Sequence, residues 1–245
     1  MQVQGSIFQR SDSYGEAINL CLKHPFTMII AGPTGCGKTV WVLGKLVRLR
    51  SVITDVPPQR ILYFYGSSFQ PIFNDHASHV EFIYGFPSPE LMGSSARPPS
   101  PKWIIIDDLM EEASNSKGIA NLFTRGSHHD NVSVIFLVQN LFAKGKEFRT
   151  ISLNAHYLVL FKNPRDRSTI YSIGRQIFPE NTKFLYEAYA DATASSPYSY
   201  LFIDLKPDTS EKARILTNLF GENGKEQHPI VYVPHEKSRF QATRF

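Results

Sequence analysis

The chain has 245 residues, 42% of them apolar, and a formal net charge of +4. That is enough material for one large domain or two small ones, and the mildly basic balance is compatible with nucleic acid without singling it out. No apolar run approaches the ~20 residues that span a bilayer, and Met1-Gln2-Val3-Gln4-Gly5-Ser6 lacks the basic and apolar regions of a secretory signal, so neither a membrane-embedded nor a secreted protein is expected.

In chain order, Glu16-Ala17-Ile18-Asn19-Leu20-Cys21-Leu22 is a short amphipathic helix candidate, and residues 1–25 read as an N-terminal helical extension. The apolar run Phe26-Thr27-Met28-Ile29-Ile30-Ala31 predicts a strand. Gly32-Pro33-Thr34-Gly35-Cys36-Gly37-Lys38-Thr39 follows, satisfying the pattern G-x-x-x-x-G-K-S/T at every constrained position. A helix is expected from Val40 to about Arg50, with Val40, Leu43 and Val47 on one face. Strand, glycine-rich loop and helix form the context in which backbone N–H groups converge on phosphate oxygens at a helix N-terminus. Residues 32–40 therefore read as a nucleoside triphosphate cradle, with Lys38 on the β- and γ-phosphates and the Thr39 hydroxyl on Mg²⁺. A disulfide between Cys21 and Cys36 would distort that loop, so both are expected as free thiols in a cytosolic or nuclear compartment.

Pro57-Pro58 breaks the chain before the strand Ile61–Tyr65, and Val80–Tyr84 reads as a shorter edge strand. Residues 86–101, rich in proline and serine, read as a surface loop around a turn at Glu90-Leu91-Met92. Trp103-Ile104-Ile105-Ile106 is apolar throughout, as suits a strand buried on both faces. A helix over about Glu111–Phe123 and strands at Val132–Val138 and Tyr157–Phe161 follow. Helices at about 165–177 and 181–193 come next, then a strand at Tyr198–Asp204 added antiparallel at an edge. The tail from Gly221 reads as polar and irregular. The alternation predicts an α/β fold, a three-layer sandwich with a mostly parallel central sheet. The main domain spans 26–220, with the tail at 221–245.

Chemistry concentrates at strand ends. Ile104-Ile105-Ile106-Asp107-Asp108 is a buried strand ending in acids, with Asp107 placed to share Mg²⁺ with Thr39 and Asp108 to orient or deprotonate an attacking water. Glu111 or Glu112 is an alternative base, and both fit equally well as acidic first-turn helix residues. Gln139, ending the strand Val132–Val138, has an amide suited to sensing a γ-phosphate, or to capping local backbone. Arg125 reads either as an arginine finger supplied across a subunit interface or as a helix-end arginine. Arg165 and Arg167, with Asp166 between them, are rival fingers or a surface cluster. His128-His129-Asp130 is not expected to hold a metal, because adjacent histidines rarely point at one ion. Lys144, Lys146 and Arg149 read as contacts to a phosphate backbone or as a solvated loop.

Gly32–Thr39, Ile104–Asp108, the run from Leu122 through His129 to Val138-Gln139-Asn140-Leu141-Phe142, and Leu160–Arg167 together resemble genome-packaging ATPases of the FtsK–HerA superfamily. The similarity is to those of eukaryotic DNA viruses and virus-like transposons (poxvirus, virophage, adintovirus and Polinton types), and it spans roughly residues 26–207. The resemblance implies an ASCE, RecA-like P-loop NTPase that uses ATP and Mg²⁺. It implies a homo-oligomeric ring that drives double-stranded DNA into a capsid or procapsid, in the host nucleus or cytoplasm where virus assembles, or in the virion. It also implies Gln139 as the sensor and favours Arg125 as the finger. Asp108 stands where cellular relatives usually carry Glu, and neither a nuclease domain nor a separate DNA-binding module is expected beside the core. A small-substrate P-loop kinase and a non-catalytic nucleotide-dependent interaction protein are the alternative functions.

Overall fold

The computed structural model describes residues 8–11, 21–93, 99–126, 130–142, 145–220 and 229–234, without the side chains of residues 8–11, 125 and 126. Ten strands form one sheet: β1 (Phe8–Ser11), β2 (Thr27–Ala31), β3 (Arg60–Tyr65), β4 (Glu81–Tyr84), β5 (Lys102–Asp107), β6 (Val132–Val138), β7 (Tyr157–Phe161), β8 (Tyr200–Asp204), β9 (Ile215–Thr217) and β10 (Ile230–Pro234). Their order is β1-β10-β9-β8-β7-β2-β6-β5-β3-β4. From β7 to β4 every pairing is parallel, and from β7 to β1 every pairing is antiparallel.

The parallel half forms where the sequence is apolar on both faces. All five residues of β2, all seven of β6 and all five of β7 are buried. Alternate residues feed two cores. Ile29, Phe64, Ile106 and Phe136 face one, beneath helices that include Arg167–Ile177 and Thr182–Ala192. Met28, Ile30, Tyr63 and Ile105 face the other, beneath the helical segment that starts at Lys38. Strand β6 lies between β2 and β5, which is the inserted-strand order expected for ASCE ATPases.

Several boundaries differ from the sequence expectation. The phosphate-loop helix is not regular to Arg50: Lys38–Trp41 is α-helical, Val42–Val47 is a wider π-turn containing Gly44, and Arg50–Ile53 is a separate turn. The helix expected at 111–123 breaks in two, because the Ser116 hydroxyl accepts from Ile119 N at 3.3 Å and starts a new helix at Lys117. β8 is antiparallel to β7, as expected, but it is not an edge, since β9, β10 and β1 continue the sheet beyond it.

Two strands fall outside the 26–220 span: β10 within the segment read as a polar tail, and β1 within the segment read as a helical extension. Residues 16–20 of the helix candidate lie outside the described residues, and Leu22 forms an extended bridge to Thr54. Among the described residues, no helix is long and apolar enough to cross a membrane. Cys21 is exposed and Cys36 buried, both as free thiols.

Candidate nucleotide site

All parallel strands end at the same side of the sheet, and a cleft of about 1820 Å³ opens there. The loop after β2 lines it. Gly35 and Gly37 have φ of 77° and 95°, the left-handed region that glycine enters without a Cβ penalty, and Gly37 caps the helix that follows. Gly32 is closely packed: a Cβ there would lie 2.7 Å from both Cys36 Sγ and Phe161 Cβ. Its N–H donates to Val138 O at 3.1 Å, which ties the loop to the end of β6.

Lys38 is only 9% exposed, and its ammonium donates to Gly32 O at 2.6 Å and Pro33 O at 3.0 Å. The charge is thus held at the mouth of the loop by carbonyls that a stronger anionic acceptor can replace. Cys36 Sγ lies 3.9 Å from Lys38 Nζ, and burial pushes its thiol pKa up despite that neighbour.

The acid-bearing strand meets this loop through hydrogen bonds. Asp107 Oδ2 accepts from Thr39 Oγ1 at 2.8 Å and from Tyr63 Oη at 2.6 Å. Burial raises the Asp107 pKa above its ordinary value, opposed by the Tyr63 and Thr39 hydrogen bonds and by Lys38. The Tyr63 phenol is pushed well up, first by burial and then by the Asp107 charge. Thr39 and Asp107 together present hard oxygen donors at the cleft wall, a set that suits Mg²⁺.

Asp108 shares the cleft with Asp107 but differs from it in exposure and backbone. It is exposed, lines the cleft, and holds φ at 55°. The chain from β3 crosses close above it. Gly66 N donates to Asp107 O at 3.1 Å, and a Cβ on Gly66 would lie 2.2 Å from Asp108 O, so only glycine fits there. Gln139, at the end of β6, lines the same cleft. Glu111 and Glu112 do not line it; they sit exposed on the helix Met110–Ser114.

The remaining candidates lie elsewhere. Arg125 belongs to the turn Leu122–Gly126, on the stretch of backbone leading to the amino-terminal end of β6, opposite the cleft. Its side chain is outside the described residues, as are His128, His129 and Lys144. Arg165 is exposed, and Arg167 donates to Tyr186 Oη at 3.1 Å; neither lines the cleft. Lys146 and Arg149 are exposed after β6. Arg149 lies on the helix Phe148–Leu153 and not on the loop expected from the sequence, and the chain entering that helix is clamped, because Gly145 passes so near Ser114 that a Cβ would lie 2.5 Å from Ser114 Cβ.

Neither a family model nor a curated protein matches the chain. Solved structures do. The genome packaging NTPase B204 from Sulfolobus turreted icosahedral virus 2, in complex with AMPPCP, is 12% identical over 76% of this chain and 95% of that one, with a TM-score of 0.50. The same protein in complex with ATP-gammaS is 11% identical over 76% and 95%, at 0.49. The flagellar accessory protein FlaH from Methanocaldococcus jannaschii is 15% identical over 58% and 75%, at 0.37. The fold is that of a P-loop NTPase. Within this P-loop fold, the sequence does not mark two residues of the site: Tyr63, buried behind Asp107, and Tyr198, in the cleft wall. Tyr63 gave no signal because its contact with Asp107 depends on the β3–β5 register, and Tyr198 sits in a serine-rich loop without a motif.

Proposed function

We propose that the chain is an ATP-hydrolysing translocase that drives double-stranded DNA into a viral capsid or procapsid, working as a homo-oligomeric ring at sites of virus assembly. The observation that carries the nucleotide half of this reading is the 2.8 Å bond between Thr39 and Asp107. It joins the phosphate loop to the acid-bearing strand at the cleft wall. Mg²⁺ bound between these oxygens would neutralise charge on the transferred phosphoryl group.

The chain's own residues divide the remaining work. Loop amides and Lys38 orient the triphosphate. Asp108, exposed to the cleft, accepts a proton from or aligns the attacking water, and Gln139 reports the γ-phosphate to the loop after β6. Lys144, Lys146 and Arg149 follow β6 in sequence, Arg149 on the helix Phe148–Leu153, and are the residues to meet a DNA backbone. Arg125, on backbone leading away from its own cleft, suits a role in a neighbour's site, where a finger contributes about 10³–10⁵ in rate. The DNA-packaging half of the reading rests on the sequence resemblance.

Phosphate release from ATP with and without linear duplex DNA tests the proposal. DNA-stimulated turnover, lost in Lys38→Ala and Asp107→Ala, is the expected result. Mixing Arg125→Ala with Lys38→Ala protein restores part of the activity if the finger acts in trans. Phosphoryl transfer to a small acceptor without DNA stimulation would make the protein a kinase instead. Tight ATP binding without turnover would make it a nucleotide switch.

A further inference from the structure

The cleft is larger than a triphosphate needs, and it has two lobes beyond the phosphate loop. One, toward β3, is polar: Lys45, Arg48, Ser67 and Gln70 line it. The other lies under the antiparallel strands and is bounded by Val40, Gly44, Tyr198, Asn218, Phe220 and Ile230. Antiparallel pairing creates this second lobe, since it brings the start of β8, the end of β9 and the start of β10 to the same side of the sheet as the phosphate loop.

Tyr198 dominates that lobe. Its ring edge lies against the loop, where a Cβ on Gly37 would meet Tyr198 Cδ1 at 3.2 Å, yet the residue is 63% exposed. The segment carrying it is tied down: Ser199 O accepts from Lys162 N at 3.2 Å, Ser196 Oγ accepts from Tyr198 N at 3.2 Å, and the Ser195 and Ser199 hydroxyls are 3.1 Å apart. Across from it Val40 is exposed, and a Cβ on Gly44 would meet nothing within 4 Å. Trp41 packs edge-on to Tyr200 at 5.3 Å and tilted against Phe220 at 5.5 Å, which makes the floor rigid. A fixed, open aromatic face beside a phosphate cradle, with Val40, Phe220 and Ile230 among its walls together with the polar Thr217 and Asn218, fits a flat heteroaromatic ring.

We propose that this lobe is the nucleoside subsite, with the base lying on Tyr198 and passing Val40 and Gly44. The inference rests on the phosphate-loop reading above. A triphosphate held by residues 35–39 leaves its nucleoside two ways out, and the polar lobe offers cationic side chains where a base needs an apolar face. Stacking is open to every base, so the subsite favours the larger purine ring without reading base edges.

Equilibrium binding of a non-hydrolysable ATP analogue and of inorganic tripolyphosphate, each with Mg²⁺, tests this. Tyr198→Ala is expected to weaken the nucleotide about 10-fold or more and leave tripolyphosphate within about twofold of the unaltered protein. Tyr198→Phe keeps the ring face and brings nucleotide affinity back to within about threefold. Gly44→Leu places a side chain in the lobe, starting from a Cβ position with no atom within 4 Å, and it too weakens only the nucleotide. If tripolyphosphate binds but nucleotide affinity is unchanged in both Tyr198→Ala and Gly44→Leu, the subsite is wrong and the phosphate loop stands. If neither ligand binds the unaltered protein, the phosphate-loop reading falls and the subsite with it.

Discussion

The two halves of the sheet are built by different means. In the parallel half, strands such as β2, β6 and β5 are buried at every residue; Thr27, Ser133 and Lys102 are buried polar residues near their amino ends, and the carboxyl ends bring Lys38, Thr39 and Asp107 together. The antiparallel half has short strands and depends on a polar fastening. Arg214, 7% exposed, donates through Nη1 to Asp204 O at 2.8 Å and Lys206 O at 3.0 Å. Through Nη2 it donates to Thr209 O at 3.0 Å and Glu211 Oε1 at 2.6 Å, closing the β8–β9 connection. One half thus supplies the reactive groups on a hydrophobic frame, and the other supplies a cleft wall held by one arginine. The division implies that damage to the wall and damage to the frame have separable consequences.

Arg214→Ala gives the largest expected effect on stability. It strips charged donors from three backbone carbonyls and a carboxylate, and should cost about 2–4 kcal/mol in chemical denaturation. Tripolyphosphate binding by the folded variant should survive; its loss would show that the two halves are not separable. Tyr63→Phe probes the frame. Removing the 2.6 Å bond to Asp107 should cost about 1–2 kcal/mol and raise the Mg²⁺ concentration needed for half-maximal turnover, with the tripolyphosphate contacts of Lys38 intact.

Asp108→Gly separates stability from chemistry. The left-handed backbone at Asp108 should become easier by about 1 kcal/mol, raising the denaturation midpoint, while turnover falls. Equal turnover would remove Asp108 from the reaction. The smallest effect concerns the outer edge, where Arg60 Nε lies 2.7 Å from Glu81 Oε1. The arginine hydrogen bond lowers the Glu81 pKa, so the pair contributes stability above the unfolded carboxylate pKa and loses it as pH falls through the lower folded value. Both side chains are about half exposed, so the contribution should stay below ~1 kcal/mol, and Glu81→Gln should flatten stability between about pH 5 and pH 3.

The same contrast explains what could be read in advance. Uninterrupted apolar runs marked β2, β5, β6 and β7, and the phosphate-loop pattern fixed which strand end carries the site. The antiparallel half gave weaker signals: β9 has three residues, and β10 is a five-residue run inside an otherwise polar tail. β8 was legible as a strand, but its interior place was not, because that depends on partners distant in sequence. Asp107 and Thr39 were legible as a pair because the motifs name them. Tyr63 was hidden because a phenol in a buried strand looks like ordinary core until register sets it beside a carboxylate.

The central claim is that the parallel half holds a triphosphate between Lys38, Thr39 and Asp107. A crystal structure with Mg²⁺ and a non-hydrolysable ATP analogue addresses it most directly. The account predicts phosphates along residues 35–39, Lys38 Nζ moved from the Gly32 and Pro33 carbonyls onto phosphate oxygen, and a metal beside Thr39 Oγ1 and Asp107 Oδ2. A structure at saturating analogue in which Lys38 keeps both carbonyl bonds, and the nucleotide lies elsewhere, would contradict it.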